Sequence, residues 1–312
     1  MNRNVIRFSG IIKEYGSLPA LNNIDLTLKK GEVTAILGPN GAGKTTLVEL
    51  IEGLREPTSG EITVFNMCPK TDSSDLKEKI GVQLQHTHLP PDLTTLEVLR
   101  LFGSFYREKQ KEADVLEFIG LKDKIKTRVR HLSGGQKQRL AIGLALIHDP
   151  ELVIFDEPTT GLDPVARKEL HELILKLKKE GKTILLTTHY IEEAEKLCDR
   201  IIILKDGEIH ADGTPPELVS MSEGSSTLML LFEGQSNPDE FKKKGIIPNG
   251  KVGAYHRFQV KDISQGILSL GEIIKNGKLK LNDLRLKSPS LEDVYIKLVG
   301  DEFIENKGSI AQ

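Results

Sequence analysis

The segment that most constrains the fold spans residues 32–45 and reads EVTAILGPNGAGKT, a short apolar run followed by a glycine-rich loop. The run EVTAIL has the length and composition of a buried strand, and TTLVELIEGL, which starts at the end of the loop, has the apolar spacing of a helix. The loop, residues 38–45, fits the pattern G-x-x-x-x-G-K-[S/T] at every position and in the required strand-to-helix context. This predicts a nucleoside triphosphate site at the end of a strand.

The residues of this loop, called the phosphate loop below, have distinct expected roles. Its glycines would let backbone amides surround the phosphate oxygens. Lys44 would reach the β and γ phosphates, and Thr45 would offer its hydroxyl to Mg²⁺. The predicted nucleotide-binding residues of the loop and the first helical turn are Gly38, Pro39, Asn40, Gly41, Ala42, Gly43, Lys44, Thr45 and Thr46.

A second buried strand ends in two acidic residues. In LVIFDEPTTGLD, four apolar residues precede Asp156 and Glu157, which places both carboxylates at the carboxyl end of a strand, where α/β sheets bind ligands. With a phosphate loop upstream, we expect Asp156 to hold Mg²⁺ through water and Glu157 to polarise the attacking water. A third strand, TILLTTH, ends at His189, whose imidazole could reach the γ phosphate.

The order of these segments predicts the fold class. Short β-type runs alternate with helical patterns, which indicates an α/β core with a mainly parallel sheet, that of a P-loop NTPase. Before this core, VIRFSGIIKEY and LPALNNIDLTLKKG are expected to pair as an antiparallel β subdomain. Residues 86–130 differ, since they contain a capping box of Thr94 with Glu97 and predict a helical insertion.

The stretch HLSGGQKQRL, residues 131–140, combines a helix start with two glycines. Ser133 is a natural N-cap, and the helical spacing begins at Gln136, so we predict a helix from Gln136 with Gly134 and Gly135 between cap and helix. The two glycines supply no side chain to pack, but they leave bare backbone N–H groups at the positive end of a helix. They therefore predict a second anion site.

The chain changes character after residue 218, where VSMSEGSS is small and polar. We predict a core domain over residues 1–219, a linker over 220–226 and an accessory α+β domain over 227–312. The accessory domain would contain the strands STLMLLFEG and AYHRFQVK, the helix ISQGILSLGEIIKNG and a closing helix in PSLEDVYIKLVG, capped by Ser290 with Asp293.

Composition narrows the class of protein. The 43 Lys and Arg residues nearly balance 45 Asp and Glu, for a net charge of -2, so no nucleic-acid partner is expected. The longest apolar runs have the length of strands, whereas a bilayer crossing needs about 20 residues, and the N-terminus lacks the apolar core of a signal peptide. Cys68 and Cys198 lie far apart, in no metal-like spacing. We expect a cytoplasmic protein without a membrane span.

The motifs GPNGAGKTT, LSGGQ, LVIFDE, GLD and TTH, in this order, resemble the nucleotide-binding domain of ATP-binding cassette (ABC) proteins over residues 5–218. The resemblance implies ATP and Mg²⁺ as ligands and a head-to-tail pair of cassettes, either two copies or two different chains. In such a pair the signature residues Ser133, Gly134, Gly135 and Gln136 of one cassette cap the ATP held by the other.

The resemblance also implies roles for single residues. Tyr15 matches the aromatic residue that stacks on adenine, and Gln85 matches the glutamine that senses the γ phosphate and binds Mg²⁺. Gln83 is a nearby competitor for that role, although its spacing fits less well. Asp163 matches the loop acid that communicates between the two sites of a dimer. With Glu157 and His189, Gln85 completes the expected catalytic set.

The closing segment, residues 289–300, resembles the end of cassettes that drive drug, antibiotic, lipid or polysaccharide exporters. The implied protein is an ATP-hydrolysing subunit on the cytoplasmic face of the membrane, where it powers export through a separate membrane-spanning permease. The main alternative is a soluble cassette ATPase that acts on DNA, ribosomes or cofactor-assembly machinery; the single cassette and the lack of heptads or cysteine clusters speak against it. A regulator without turnover would be expected to lack Glu157.

The helical insertion is the expected docking surface for the permease. It contains more apolar residues than two helices need for their own packing, including Leu89, Leu93, Phe102 and Phe105. Some of them should form a groove for a short helix of the partner.

Overall fold

The computed structural model describes residues 4–85, 87–221, 226–234, 238–275, 279–287 and 290–300. The chain divides into two compact units, Met1–Thr214 and Pro215–Gln312. The predicted linker, residues 220–226, falls partly on residues 222–225, which lie outside the described ranges.

The first unit has two sheets with helices packed around them. Its strands are β1 (Asn4–Tyr15), β2 (Leu18–Lys29), β3 (Val33–Leu37), β4 (Ser59–Val64), β5 (Ile80–Gln83), β6 (Leu152–Asp156), β7 (Thr183–Thr188), β8 (Arg200–Lys205) and β9 (Glu208–Gly213). Its helices are α1 (Lys44–Ile51), α2 (Ser73–Lys77), α3 (Thr95–Gly103), α4 (Glu112–Phe118), α5 (Gly134–Leu146), α6 (Pro164–Lys179) and α7 (Ile191–Leu197). Short 3₁₀ turns lie at Lys122–Lys124 and Val129–His131.

The six-stranded sheet confirms the predicted α/β core. Its order is β5-β6-β7-β3-β8-β9, and all neighbours are parallel except β8 and β9. Every residue of β3, β6 and β7 is buried, as expected for strands covered on both faces. Leu37 is opposite Thr188, and Asp156 is opposite Thr187. The carboxyl ends of these three strands therefore bring the phosphate loop, the Asp156–Glu157 pair and His189 to one end of the sheet.

The smaller sheet of this unit is antiparallel, in the order β2-β1-β4, and it contains the strand pair predicted from the sequence. Phe8 and Leu28 from this sheet share one buried apolar cluster with Leu47 and Ile51 of α1 and with Ile154 of the central sheet. The helix that follows the phosphate loop is therefore anchored to both sheets.

The helical insertion begins with the predicted capping box. The Thr94 hydroxyl accepts a hydrogen bond from Glu97 N at 3.3 Å, and the Glu97 carboxylate accepts one from Thr94 N at 2.8 Å. These bonds satisfy amides at the start of α3 that have no partner within the helix.

Helix α5 starts two residues earlier than predicted. Ser133 is its N-cap, as expected, but the helix begins at Gly134, so both glycines lie in its first turn. Gln136 is the third residue of the helix rather than its first, and its side chain accepts a hydrogen bond from Ser133 N at 3.0 Å to complete a second capping box. Glycine lowers helix stability because it loses conformational freedom there, and the reciprocal hydrogen bonds of the capping box offset this cost in the first turn.

The second unit consists of α8 (Pro215–Ser220), β10 (Ser226–Gly234), α9 (Pro238–Lys243), β11 (Ile246–Val252), β12 (Tyr255–Val260), α10 (Ile263–Lys275), β13 (Leu279–Lys287) and α11 (Leu291–Val299). Its antiparallel sheet has the order β11-β12-β10-β13, so β10 to β13 with α9 and α10 form the β-α-β-β-α-β arrangement of ferredoxin-like folds. Helix α11 is capped by Ser290 with Asp293, as predicted, and it packs against α8.

Candidate active site

The shape of the phosphate loop is set by close packing against its surroundings. A β-carbon on Gly38 would lie 2.3 Å from the Leu204 carbonyl oxygen, and one on Gly43 would lie 2.5 Å from that of Ala20. Gly43 also has a φ of +102°, which residues with side chains rarely adopt. These glycines are therefore required by the fold as well as by any phosphate that the loop would bind.

Lys44 is the first residue of α1, and its ammonium is held inside the loop. Its Nζ donates to the carbonyl oxygens of Gly38 at 2.9 Å and Pro39 at 3.0 Å. It also lies 3.2 Å from Glu157 Oε1, and the two side chains are only 5% and 9% exposed. The loop cation and the acid that follows β6 thus form a buried ion pair.

Glu157 lies at the centre of the site, where several side chains contact its carboxylate. Its Oε2 accepts hydrogen bonds from Gln85 Nε2 at 3.3 Å and from the Thr160 hydroxyl at 3.2 Å, and it lies 3.2 Å from His189 Nδ1. The structure thus brings Gln85, Glu157, His189 and Lys44, four of the residues singled out in the sequence, into one contact shell.

The backbone of Glu157 is also unusual. Its φ is +46°, and its N–H donates to both the carbonyl oxygen of Thr187, at 3.1 Å, and the Thr187 hydroxyl, at 3.0 Å. A residue with a side chain is rarely stable at such a φ unless its surroundings hold it there. The bonds to β7 do so here, and they aim the carboxylate towards the phosphate loop.

The charges around Glu157 keep its carboxylate ionised. The imidazole of His189, working against partial burial and together with the Lys44 ammonium, lowers the pKa of Glu157 to about 2. A carboxylate with so low a pKa is a weak proton acceptor. A ligand that draws Lys44 away would raise this pKa and make Glu157 a better base.

Asp156, which precedes Glu157 in the chain, is buried, and its carboxylate is a suitable ligand for a divalent cation. It is 3% exposed, and its Oδ1 accepts a hydrogen bond from the Thr187 hydroxyl. Burial raises its pKa, opposed by the bond from Thr187. Together with the exposed Thr45 and the Gln85 amide, it offers the oxygen ligands that Mg²⁺ prefers. Among the described residues there is no group of three or more His, Cys, Asp or Glu that could bind a metal.

The signature residues 133–136 do not belong to the cluster of side chains around Glu157. The Ser133 hydroxyl accepts from Gln136 N at 3.3 Å, so both polar side chains are used in the helix cap. A β-carbon on Gly134 would meet no atom within 4 Å, whereas one on Gly135 would lie 2.7 Å from the Ala166 β-carbon of α6. Within the ranges that the structure describes, no hydrogen bond or ion pair joins residues 133–136 to their own phosphate loop.

Tyr15 and Asp163 lie outside the cluster around Glu157. Tyr15 is 42% exposed at the end of β1, with the Lys13 ammonium 5.1 Å from its ring centre. Asp163 is the N-cap of α6, where its Oδ1 accepts from Val165 N at 2.9 Å and from Ala166 N at 3.0 Å. Its position at the start of α6 brings it close in sequence to Ala166, the residue against which Gly135 packs.

The structure also identifies site residues that the sequence did not single out. Thr187 holds both acids, and Thr160 contacts Glu157. Gln83, the competitor of Gln85, is 1% exposed and donates to the carbonyl oxygen of Leu84, whereas Gln85 donates to Glu157. Thr187 occurs in the strand-end sequence TTH, but only the pairing of β6 with β7 shows that its hydroxyl reaches Asp156.

Comparisons with known proteins show what the chain is similar to. The profile of a family described as "ABC transporter" matches residues 21–160. The chain is 36% identical over 307 residues to the linearmycin resistance ATP-binding protein LnrL of Bacillus subtilis (strain 168), which covers 95% of this chain and 98% of that protein. It is 37% identical over 305 residues to the Nod factor export ATP-binding protein I of Rhizobium johnstonii, which covers 95% of both chains.

Solved structures give the same result. The dimeric structure of the ATP-binding cassette MJ0796, in a post-hydrolysis state bound to ADP and Pi, is 33% identical with a TM-score of 0.60, and it covers 67% of this chain and 98% of that chain. The structure of cbiO1 from Clostridium perfringens, part of the ABC transporter complex cbiONQ, is 31% identical with a TM-score of 0.64, and it covers 70% of this chain and 92% of that chain.

Proposed function

The chain belongs to the ATP-binding proteins of ABC transporters, and from this premise we propose that it is the ATP-hydrolysing subunit of an exporter. The observation that carries the proposal is the convergence of Lys44, Gln85 and His189 on the carboxylate of Glu157. This arrangement places Lys44, the proposed phosphate-binding cation, in direct contact with Glu157, the proposed water-polarising acid.

In the proposed reaction, the ATP phosphates lie in the phosphate loop, where Lys44 neutralises the β and γ phosphates. The Lys44 ammonium is then shared between the phosphates and Glu157. Its contact with the Glu157 carboxylate weakens, so this carboxylate becomes free to accept a hydrogen bond from the attacking water. His189 stabilises the charge on the γ phosphate, and Tyr15 stacks on the adenine. Asp156, Gln85 and Thr45 would hold Mg²⁺, which neutralises phosphate charge.

We propose that two cassettes face each other head to tail, as a pair of identical or different chains. The signature residues make no polar contact with their own phosphate loop among the described residues, yet the positive end of α5 is open at Gly134. That helix end fits the γ phosphate held by a partner cassette. The structure of MJ0796 is dimeric, which supports a pair of cassettes here. Asp163, at the start of α6, would carry signals between the two sites.

The transport function requires a second protein. No helix in the described part of the chain is both long and apolar enough to cross a bilayer. We therefore propose that the chain binds a separate membrane-spanning permease and lies against the cytoplasmic face of the membrane. The names of two relatives, an export protein and a resistance protein, support export rather than import. In this proposal residues 1–219 form the cassette, and residues 227–312 form an accessory domain.

A cleft of about 420 Å³ offers a docking site for the permease. This docking cleft is lined by Glu52, Leu54, Ser73, Ser74, Leu76, Lys77, Glu78, Ile80, Val82, Phe105 and Tyr106. Phe105 and Leu54 are 71% and 60% exposed, so the cleft presents apolar surface that a short partner segment could cover. Of the four apolar residues named from the sequence, only Phe105 lines the cleft, whereas Leu89, Leu93 and Phe102 are half-buried.

Site-specific cross-linking in membranes of the native host tests this function. Cys68, the exposed cysteine, is replaced by Ser, and the buried Cys198 is kept. A cysteine at Phe105 should then cross-link to a multi-span membrane protein, whereas one at the exposed Glu61, outside the cleft, should not. Stable association of the wild-type chain with ribosomes or DNA, and with no membrane protein, would contradict the proposal.

A further inference from the structure

One carboxyl group in the docking cleft has no partner. Glu52 ends α1 as its C-cap residue, and its side chain lines the cleft. Its Oε1 is inaccessible to solvent and accepts no hydrogen bond, and no ion pair reaches Glu52 from any residue that the structure describes. An ionised carboxylate in such a place loses its hydration without regaining it from the protein.

The groups that surround Glu52 make its charge still less favourable. Burial is the largest effect, and the carboxylates of Asp156 and Glu49 add repulsion, so the pKa of Glu52 is raised to about 7. Glu52 also sits at the negative end of α1, where an acid opposes the helix dipole.

Three cations of the neighbouring segments form no ion pair with Glu52. Arg55 is paired with Glu49, at 3.3 Å, and Arg107 is paired with Asp75, at 3.1 Å. Lys77 lines the same cleft, but its ammonium is not within 4.0 Å of Glu52. The lining of the docking cleft thus includes an acid for which the described part of the chain supplies no counter-ion.

The other residues that line the docking cleft indicate the chemistry of the segment that could fill it. Leu54, Leu76, Ile80, Val82 and Phe105 give it an apolar lining, so a complementary segment must be largely apolar. At one point it must also carry a donor, because an apolar occupant would bury the second oxygen of Glu52 without a hydrogen bond. A cationic side chain at that point donates to this second oxygen and neutralises the charge of the carboxylate.

We propose that Glu52 selects the permease by binding a lysine or arginine side chain of the segment that fills the docking cleft. This inference rests on the proposed function, since it assumes that a membrane partner docks in the cleft. It adds the chemistry of recognition, an apolar segment interrupted by one cation.

The location of Glu52 gives this contact a consequence for the ATPase. Glu52 and Lys44 lie at the two ends of α1, about 12 Å apart along a helix of eight residues. A cation bound at Glu52 therefore acts on the same rigid helix that presents Lys44 to the phosphates.

The test compares stability with docking in the same variant, using the membrane subunit that co-purifies with the wild-type chain as the probe. Glu52→Gln removes the unpartnered charge, so the free chain should melt at a higher temperature, whereas its affinity for the membrane subunit should fall about tenfold or more. Opposite shifts are the distinguishing result, because a merely structural role would lower both. Glu56→Gln is the matched control, since Glu56 is exposed, pairs with Lys70 and lies outside the cleft. It should leave affinity unchanged.

Charge reversal identifies the partner residue. Glu52→Lys should lose docking, and a Lys→Glu or Arg→Glu substitution in one cytoplasmic segment of the membrane subunit should restore it. Restored docking also proves that Glu52→Lys is folded.

Phe105→Asp separates this inference from the proposed function on which it rests. If Phe105→Asp prevents docking while Glu52→Gln docks like the wild type, the inference is wrong and the docking cleft stands. If both variants dock normally, the cleft assignment itself is wrong. If the wild-type chain binds no membrane subunit at all, the proposed function fails.

Discussion

The Lys44 ammonium lies 3.2 Å from Glu157 Oε1, and both side chains are almost inaccessible to solvent. A triphosphate that engages Lys44 must compete with Glu157 for this ammonium. Binding of the phosphates and the release of the Glu157 carboxylate for catalysis are therefore linked through one atom, Nζ of Lys44.

Glu157→Gln should slow ATP hydrolysis by about 10²–10⁴-fold, because the amide keeps the shape of the side chain but cannot polarise water as a carboxylate does. ATP affinity should stay the same or rise, since Gln competes less well for Lys44 and does not repel phosphate. Phosphate release and nucleotide titration measure the two effects. Glu180→Gln, at the exposed end of α6, is the control and should hydrolyse ATP normally. Near-normal turnover in Glu157→Gln would remove Glu157 from its proposed role.

Lys44→Ala should instead weaken ATP binding, by about 10- to 100-fold, because it deletes a charged hydrogen-bond donor to the phosphates. It also leaves Glu157 buried without its nearest cation, so the chain should melt at a lower temperature. Adding Glu157→Gln to Lys44→Ala should recover part of that stability. Additive losses in the double variant, measured by thermal unfolding, would contradict the ion pair.

Gly134→Asp should block action of the signature on a partner cassette. The position is open, and an acid in the first turn of a helix does not harm its stability, so the isolated chain should fold and bind ATP as before. Dimerisation driven by ATP should fall, because the new carboxylate would face the γ phosphate of the partner.

Mixing Gly134→Asp chains with Lys44→Ala chains checks that this action is in trans. Each mixed dimer would contain one site with both defects and one with neither, so part of the hydrolysis activity should return. Gly135→Ala is the contrasting variant, since its β-carbon would lie 2.7 Å from that of Ala166 and should destabilise the isolated chain. No recovery in proven mixed dimers would rule out a composite site.

Thr187→Val should reduce turnover more than ATP affinity, because the hydroxyl that it removes bonds to Asp156 and to the amide of Glu157. Thr183→Val is the matched control on the same strand. Thr183 is equally buried and accepts a hydrogen bond from Gly31 N, far from the two acids along β7. The two variants should lose similar stability in thermal unfolding. Equal loss of turnover in both would show that Thr187 has only a structural role.

The sequence predicted β3, β6, β7 and β8 of the central sheet because these strands are buried and read as apolar runs, whereas the edge strands β5 and β9 carry no such signal. It missed β11 and β13, which lie at the two edges of the second sheet and bury few side chains, so neither carries a clear apolar pattern. The start of α5 was misplaced because glycine is a poor helix former on its own, and the reciprocal cap of Ser133 with Gln136 decides the boundary.

The residues of the candidate site likewise fall into those that the sequence could predict and those that it could not. Lys44, Asp156, Glu157 and His189 belong to local motifs and could be predicted from the residues. The contacts of Thr187 depend on the register between β6 and β7, which no local pattern specifies. The unpartnered carboxyl of Glu52 could not be predicted either, because it depends on which side chains fail to reach it.

The phosphate loop is wedged between backbone carbonyls of two different sheets, at Ala20 in β2 and Leu204 in β8, and Gly207 N donates to the carbonyl oxygen of Ala42 at 3.1 Å. Local opening of the loop therefore requires that these strands separate. Its amides should exchange hydrogen as slowly as those of the central strands, and heat or denaturant should remove the nucleotide site and the fold in one cooperative transition. A substitution that weakens β2 should therefore lower the ATP affinity and the melting temperature together, so a defect in nucleotide binding can originate far from any residue that contacts the nucleotide.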